Sequence, residues 1–356
     1  MISFKTLMIC FKIIIYIFLL LKFQLVYSQV IQSNEFAPFN KHLDVKGISL
    51  VGMYDVTDDF LIKVSKIIES CFEVNEFTDK RLQKRLIKSF DDANIMQRIG
   101  TDMSNYKGGQ IDEENYPGWD ELHDKNNAVD FIFQLPNSEE GQILEIVEHF
   151  LHTTTVLGFN EIFHEGMWNH ENKNSLLIQA MSEAINNGVY NIESYEEIKK
   201  DDLYAYKIII AQEYAYWLII TAWDIKSIYI PNAEPEWFIN TPIEIKQKNP
   251  LGYKLYKDYV VKVLSKPDVN LLNSLFINNS IYSISNSSSS ENNTLNNSSS
   301  NLKSSINNLE NENNDIFRNK IHSIIDELNN IKNDFNNNDL NYHIDKLINI
   351  FENQYL

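Results

Sequence analysis

Apolar residues Ile143, Ile146, Val147, Phe150 and Leu151 recur at the spacing of one helix face, and the polar positions between them gather on the other. There Glu145, Glu148, His149 and His152 stand at i, i+3, i+4 and i+7. The pattern predicts a helix over residues 142–157 that packs its apolar side on a core and turns a stripe of acids and imidazoles outward or into a cleft. Ser138 with Glu139 and Glu140 supplies the capped, acidic start such a helix needs.

The same reading gives the neighbouring elements. Residues 45–54 (VKGISLVGMY) alternate and predict a strand, and Thr57-Asp58-Asp59 then caps a helix running to Phe72. Residues 77–99 carry Leu82, Leu86, Ile87 and Phe90 among charges and predict a second helix, while 100–123 read as a long loop turning at Tyr116-Pro117-Gly118-Trp119. Asp112, Glu113 and Glu114 in that loop lack the alternating ligands and central glycine of a calcium loop and read as a solvated acidic run. Residues 129–135 (VDFIFQL) form a compact strand delivering the chain into the Glu/His helix. Helices follow over 176–187, stopped at Gly188, and over 201–225, the longest apolar stretch of the body; 231–250 is a crossover and 251–264 is helical again. The resulting class is α+β, with a small sheet and several helices.

The two ends change the picture. Residues 1–28 place Lys5 and Lys12 ahead of an apolar run, with Val26 and Ser28 before a cut at Gln29, which predicts a secretory signal peptide; an uncleaved membrane anchor is the competing reading. Cleavage removes Lys5, Lys12 and Lys22 and no acid, so the formal charge of −18 becomes −21, which argues against nucleic acid as a partner. Cys10 leaves with that segment, and Cys71 remains as a lone thiol in an apolar helical stretch, a structural core position. The body is expected to span 29–277. Residues 278–314 turn to Asn and Ser and predict a disordered linker, with N-glycans expected at Asn278, Asn286, Asn292, Asn296 and Asn297. Residues 315–356 predict an amphipathic helical hairpin or coiled coil, from Phe317, Ile321, Ile324, Leu328, Ile331 and Phe335, then Leu340, Ile344, Leu347 and Phe351. It is suited to docking on the body, to self-association or to an unidentified protein or peptide partner.

The chemistry rests on donors at helical spacing. A helix offers two metal ligands most directly at i and i+4, and both Glu148/His152 and Glu145/His149 meet that spacing. Read as Glu148-His149-x-x-His152, the stripe permutes the His-Glu-x-x-His helix of zinc peptidases: the first ligand becomes a carboxylate and the neighbouring proton acceptor an imidazole. A solvated polar face is the plainer reading of such a stripe. Glu213 weighs against it, because it lies in IIIAQEYAYWLII, where a buried carboxylate must find a cation, a metal or a donor. One metal shared by Glu148, His152 and Glu213 meets that need; so does a salt bridge to Lys207 or Arg98, or a bond from Tyr204. His164 and His170 are further donors on a loop whose Gly166 and Asn169 mark a flexible surface.

These pieces resemble an uncharacterised family of secreted proteins whose layout looks like that of zincin-type metallopeptidases. The resemblance is carried by 45–56 with Asp58, Asp59 and Leu61, the strand 129–135, Val147-Glu148-His149-Phe150-Leu151-His152-Thr153 with Gly158-Phe159, Glu213-Tyr214-Ala215-Tyr216-Trp217, and Glu236-Trp237-Phe238-Ile239-Asn240-Thr241-Pro242. It covers 45 to about 264. In that family the position of His149 is acidic and an Asp/Asn/Gly loop follows the first helix, where this chain has CFEVNEFTDK; the linker and C-terminal helices have no counterpart. The resemblance implies a zincin-like core, with Glu148, His152 and Glu213 as metal ligands. Zinc is the expected ion, although a mixed Glu/His set also accommodates iron or manganese. Peptide hydrolysis would then use His149 or Glu145 as proton acceptor, unless the chain is an inactive relative. The reading from another class is a non-catalytic extracellular glycoprotein acting as a binding or structural module.

Overall fold

The computed structural model of the chain describes residues 29–136, 138–163, 166–232 and 234–276. The expected signal peptide or membrane anchor, His164, the five sequons, the Asn/Ser linker and the C-terminal hairpin lie outside them. Among the described residues no helix is long and apolar enough to cross a membrane.

The architecture is α+β, built on a five-stranded mixed sheet. Its strands are β1 (Ile31–Gln32), β2 (Lys41–Val45), β3 (Ile48–Gly52), β4 (Met96–Gly100) and β5 (Phe131–Phe133), in that spatial order. The first three pair antiparallel; β3, β4 and β5 run parallel, with Ser49 opposite Met96 and Arg98 opposite Phe131. Parallel neighbours need long connections. Here α1 (Asp58–Cys71) and α2 (Lys80–Asp92) link β3 to β4, and a loop with α3 (Trp119–Lys125) links β4 to β5. Then come α4 (Glu139–Thr153), α5 (Leu176–Asn186), α6 (Glu196–Asp201), α7 (Leu203–Ala222), α8 (Lys226–Tyr229), α9 (Pro242–Lys248) and α10 (Pro250–Leu255).

Four expectations are corrected. The strand expected over 45–54 is the second half of a hairpin: Val45 ends β2, and Lys46 and Gly47 turn the chain with φ of 51° and 79°. Gly47 is also a packing position, because a Cβ there would lie 2.4 Å from the Ile87 carbonyl oxygen of α2. The helix expected over 77–99 stops at Asp92; Asn94 takes a positive φ of 48° and Met96–Gly100 becomes the central parallel strand, buried on both faces. A five-residue segment such as MQRIG is too short for its periodicity to tell strand from helix. The loop expected to reach 123 ends in α3, and Glu113 starts it by accepting from the Gly118 and Asp120 amides. That same bonding to charged form holds the Glu113 carboxyl below its ordinary range. Finally, the crossover 231–250 contains α9, set by a Thr241/Glu244 capping box, and residues 269–276 form an unanticipated helix.

Other elements match their local chemistry. Thr57 Oγ1 accepts from the Phe60 amide to start α1, whose Phe60, Leu61, Val64, Ile67, Ile68 and Cys71 are buried. Burial drives the Cys71 thiol far up, as an inert core group requires. Helix α7 is apolar all round and correspondingly runs through the middle of the core. Its placement against α4 creates the site.

Candidate metal centre

Helix α4 is stitched to the edge of β5 by its own polar residues. The Phe133 amide donates to Glu145 Oε1 at 2.8 Å, the Leu135 amide to Gln142 Oε1 at 2.6 Å, and Gln142 Nε2 returns to the Phe133 carbonyl at 2.9 Å. Farther along, Thr153 Oγ1 donates to Gln97 Oε1 of β4 at 2.6 Å. Gln97 Nε2 also reaches the Asp130 carbonyl at 3.2 Å, and Arg98 Nη2 the Val129 carbonyl at 2.9 Å. The residue ahead of β5, Asp130, is thereby fixed beneath the last two turns of α4.

Asp130 organises both imidazoles. Its Oδ2 lies 2.9 Å from His149 Nδ1 and 2.9 Å from His152 Nδ1. Burial by itself would raise the Asp130 carboxyl, but the two histidine hydrogen bonds and charges outweigh it and pull it down to about 2. His149 is held at its other end too, with Nε2 3.2 Å from Glu145 Oε1. Burial opposes its charge; the hydrogen bonds and charges of Asp130 and Glu145 win, and push it up to about 11. His149 is therefore an imidazolium clamped between two carboxylates.

The other half of the cluster is under-bonded. His152 is 1% exposed, and its Nε2, turned away from Asp130, has no hydrogen-bond partner among the described residues. Glu213 Oε2 sits 3.5 Å away, within ion-pair range. Burial lowers the His152 imidazole, and the Asp130 bond and the Glu213 carboxylate more than compensate, raising it to about 9. Glu148 completes the group: one ligand atom each of Glu148, His152 and Glu213 lies within 4.8 Å of the others. Burial first, and the Glu213 charge second, push the Glu148 carboxyl up to about 7 against the pull of His152 and His149. Tyr216 of α7 packs its ring edge-on to His152 at 6.0 Å and closes one side. Near Glu213, Tyr195 Oη donates to Glu236 Oε1 at 2.6 Å. Burial raises the Glu236 carboxyl, the Tyr195 bond lowers it, and the Glu213 charge raises it further.

The partly buried Glu148 and Glu213 carboxylates and the buried His152 Nε2 form a group of donor atoms close enough together to hold a metal ion. Ligands around a tetrahedral zinc at about 2.0–2.2 Å stand about 3.4 Å apart, so the spread seen here closes by side-chain adjustment alone. The Asp130–His152 contact supplies the outer hydrogen bond that fixes a ligating imidazole's tautomer. An overlapping triple, Asp130, His149 and His152, meets the same distance limit, but its two Nδ1 atoms are already spent on Asp130.

All five residues singled out in the sequence, Glu145, Glu148, His149, His152 and Glu213, come together, and they face inward. Of the alternative partners for Glu213, Arg98 instead serves the Val129 and Asp130 carbonyls and His123, and Tyr204 is exposed. His170 lies apart, lining a small cavity of about 10 Å³ with Thr155, Trp168 and Gln212. Asp130 was missed. Its signal was present, an acid opening an otherwise apolar strand that leads into the Glu/His helix. No family model matches the chain, and no curated protein or solved structure matches it either.

Proposed function

We propose that Glu148, His152 and Glu213 bind one divalent cation, zinc by preference, in a secreted protein of zincin-like, metallopeptidase-like layout. The observation that carries this reading is the buried His152 Nε2, left without a hydrogen-bond partner and facing Glu213, while Asp130 holds the opposite nitrogen. Three protein ligands leave a position open, the arrangement of catalytic rather than structural zinc. A zinc bound there supplies Lewis acidity and brings the pKa of water towards about 7.

The protein's own groups make poor partners for turnover. His149 keeps its protons between Asp130 and Glu145, and Glu145 Oε1 is occupied by the Phe133 amide. A proton acceptor must be free to accept. We therefore read the chain as an inactive or weakly active relative of a metal-dependent hydrolase.

Metal analysis of the purified full chain, with zinc, iron and manganese offered in turn, tests it. The expected result is one zinc per chain, lost in both Glu213→Gln and His152→Ala, with peptide cleavage slow or undetectable. A folded protein that takes up no divalent ion would sink the reading and leave the non-catalytic extracellular glycoprotein. Brisk, zinc-dependent cleavage would overturn the assignment of an inactive relative.

A further inference from the structure

Helix α2 carries Lys80, Arg81, Lys84, Arg85 and Lys88 on one exposed side, where they line an open groove of about 510 Å³ with no acid or aromatic residue among the described residues of the lining. These five cations fall within nine residues, about 12 Å of helix axis. The chain as a whole carries a formal charge of −18, so this concentration runs against its composition.

Helix stability does not account for the stripe. Cations are unfavourable at a helix N-terminus and favourable at its C-terminus, yet Lys80 and Arg81 open α2 and Asp91 and Asp92 close it. Like charges also face one another at i and i+4, at 80/84, 84/88 and 81/85, a destabilising arrangement. Two other helices begin the opposite way: Asp58 and Asp59 open α1, and Glu139 and Glu140 open α4. Neutralisation within the fold is slight. Lys88 pairs with Asp92, Arg85 Nη2 reaches the Ile162 carbonyl at 3.3 Å, Arg81 feels the Asp79 charge, and the side chains of Lys80 and Lys84 make no hydrogen bond or ion pair among the described residues.

We propose that this groove binds a linear sulfated polysaccharide. Its walls are lysine and arginine stems tipped with charge, which suits a polymer held through its anionic groups with sugar rings lying along methylenes. A folded protein or peptide partner would need apolar anchor pockets, and single-stranded nucleic acid a stacking platform; the described residues of the lining offer neither. A flat anionic bilayer would meet the acidic remainder of the body within a Debye length of about 8 Å, whereas a thin chain brings its charge to the groove alone.

The full chain is titrated with heparin, chemically desulfated heparin, a single-stranded DNA oligonucleotide and phosphatidylserine vesicles at low ionic strength. Heparin is expected to bind, and desulfation to abolish binding. The Lys80→Gln, Arg81→Gln, Lys84→Gln triple variant should lose roughly tenfold or more, with the slope of log affinity against log salt reduced by about 2. Lys84→Gln alone should show a smaller loss in the same direction, which keeps the test alive should the triple variant fold poorly. Lys199→Gln with Lys200→Gln, on paired surface lysines of α6, should change nothing. Absence of heparin binding, or equal binding by the α2 variants, overturns the proposal. Preference for DNA or for vesicles over heparin overturns the choice of occupant.

Discussion

Two halves of one polar cluster, three residues apart on α4, are built on opposite principles. In the first, Glu145, His149 and Asp130 close on one another: each histidine nitrogen faces a carboxylate, and Glu145 takes a strand amide as well. In the second, Glu148, Glu213 and His152 Nε2 face one another, with a 3.5 Å charge contact between His152 Nε2 and Glu213 Oε2. The first half is satisfied by what the chain supplies, and behaves as a fastener between α4 and β5. The second gathers two carboxylates and an imidazole nitrogen at a shared centre, the group to which the proposed cation is assigned. Identical side-chain types at identical helical spacing thus acquire different roles from what lies opposite them, a strand edge in one case and the acid of α7 in the other.

The sharpest way to break this contrast is at Asp130, which belongs to both halves. Asp130→Asn removes the negative charge that faces two imidazoles, and should cost about 3–5 kcal/mol in denaturant unfolding, because an imidazolium left unpaired in the interior is expensive. The same substitution should weaken zinc binding by about 10–100-fold, as loss of an outer hydrogen bond to a ligating histidine does. Unchanged stability would show that the closed half is not a fastener.

Next in size is the pH response of the metal-free protein. Glu148 has its folded pKa raised to about 7, above its ordinary value, so its charged form is disfavoured by folding. Stability should therefore fall as pH rises through the interval between that ordinary value and about 7, by up to about 3 kcal/mol. His152, raised to about 9, adds a loss that is complete only once pH passes that value, because its contribution is fully present below the unfolded histidine pKa. Asp130, lowered to about 2, works at the other end: its contribution holds above the unfolded carboxyl value and is lost as pH falls through about 2. Glu148→Gln should flatten the neutral part of the curve, and zinc should do the same in the parent chain. A metal-free parent that grows more stable between pH 5 and 8 would contradict the open half.

The smallest effect distinguishes the two helix carboxylates. Glu145→Gln should cost about 1–2 kcal/mol of stability through its strand and imidazole bonds, and leave zinc stoichiometry intact. Glu213→Gln should do the converse, removing zinc while leaving the metal-free protein as stable or more so. Equal behaviour of the two variants in unfolding and metal analysis would erase the distinction.

Much of this cluster was legible in the sequence because helical periodicity is local. The 3.6-residue repeat of α4 fixed which four side chains share a face, and the isolation of Glu213 among apolar residues marked it as buried. The sequence did not reveal which half would close, since that depends on Asp130, brought under the helix by parallel pairing of β4 and β5. It failed for the same reason at Met96–Gly100, where five mixed residues (MQRIG) continuing a helical stretch proved to be the central strand. The Lys46-Gly47 turn was legible in principle, as a glycine following a charged residue between two apolar runs, and was absorbed into a strand because the alternation on either side stays in phase.

The most direct test of the metal centre is the zinc K-edge absorption spectrum of the loaded full chain. The account predicts one imidazole nitrogen at about 2.0–2.1 Å and carboxylate oxygens at about 2.0–2.2 Å, with the nitrogen shell disappearing in His152→Ala and the oxygen shell depleted in Glu213→Gln. A shell containing sulfur, a shell with two or more imidazoles, or a spectrum untouched by either substitution would contradict it.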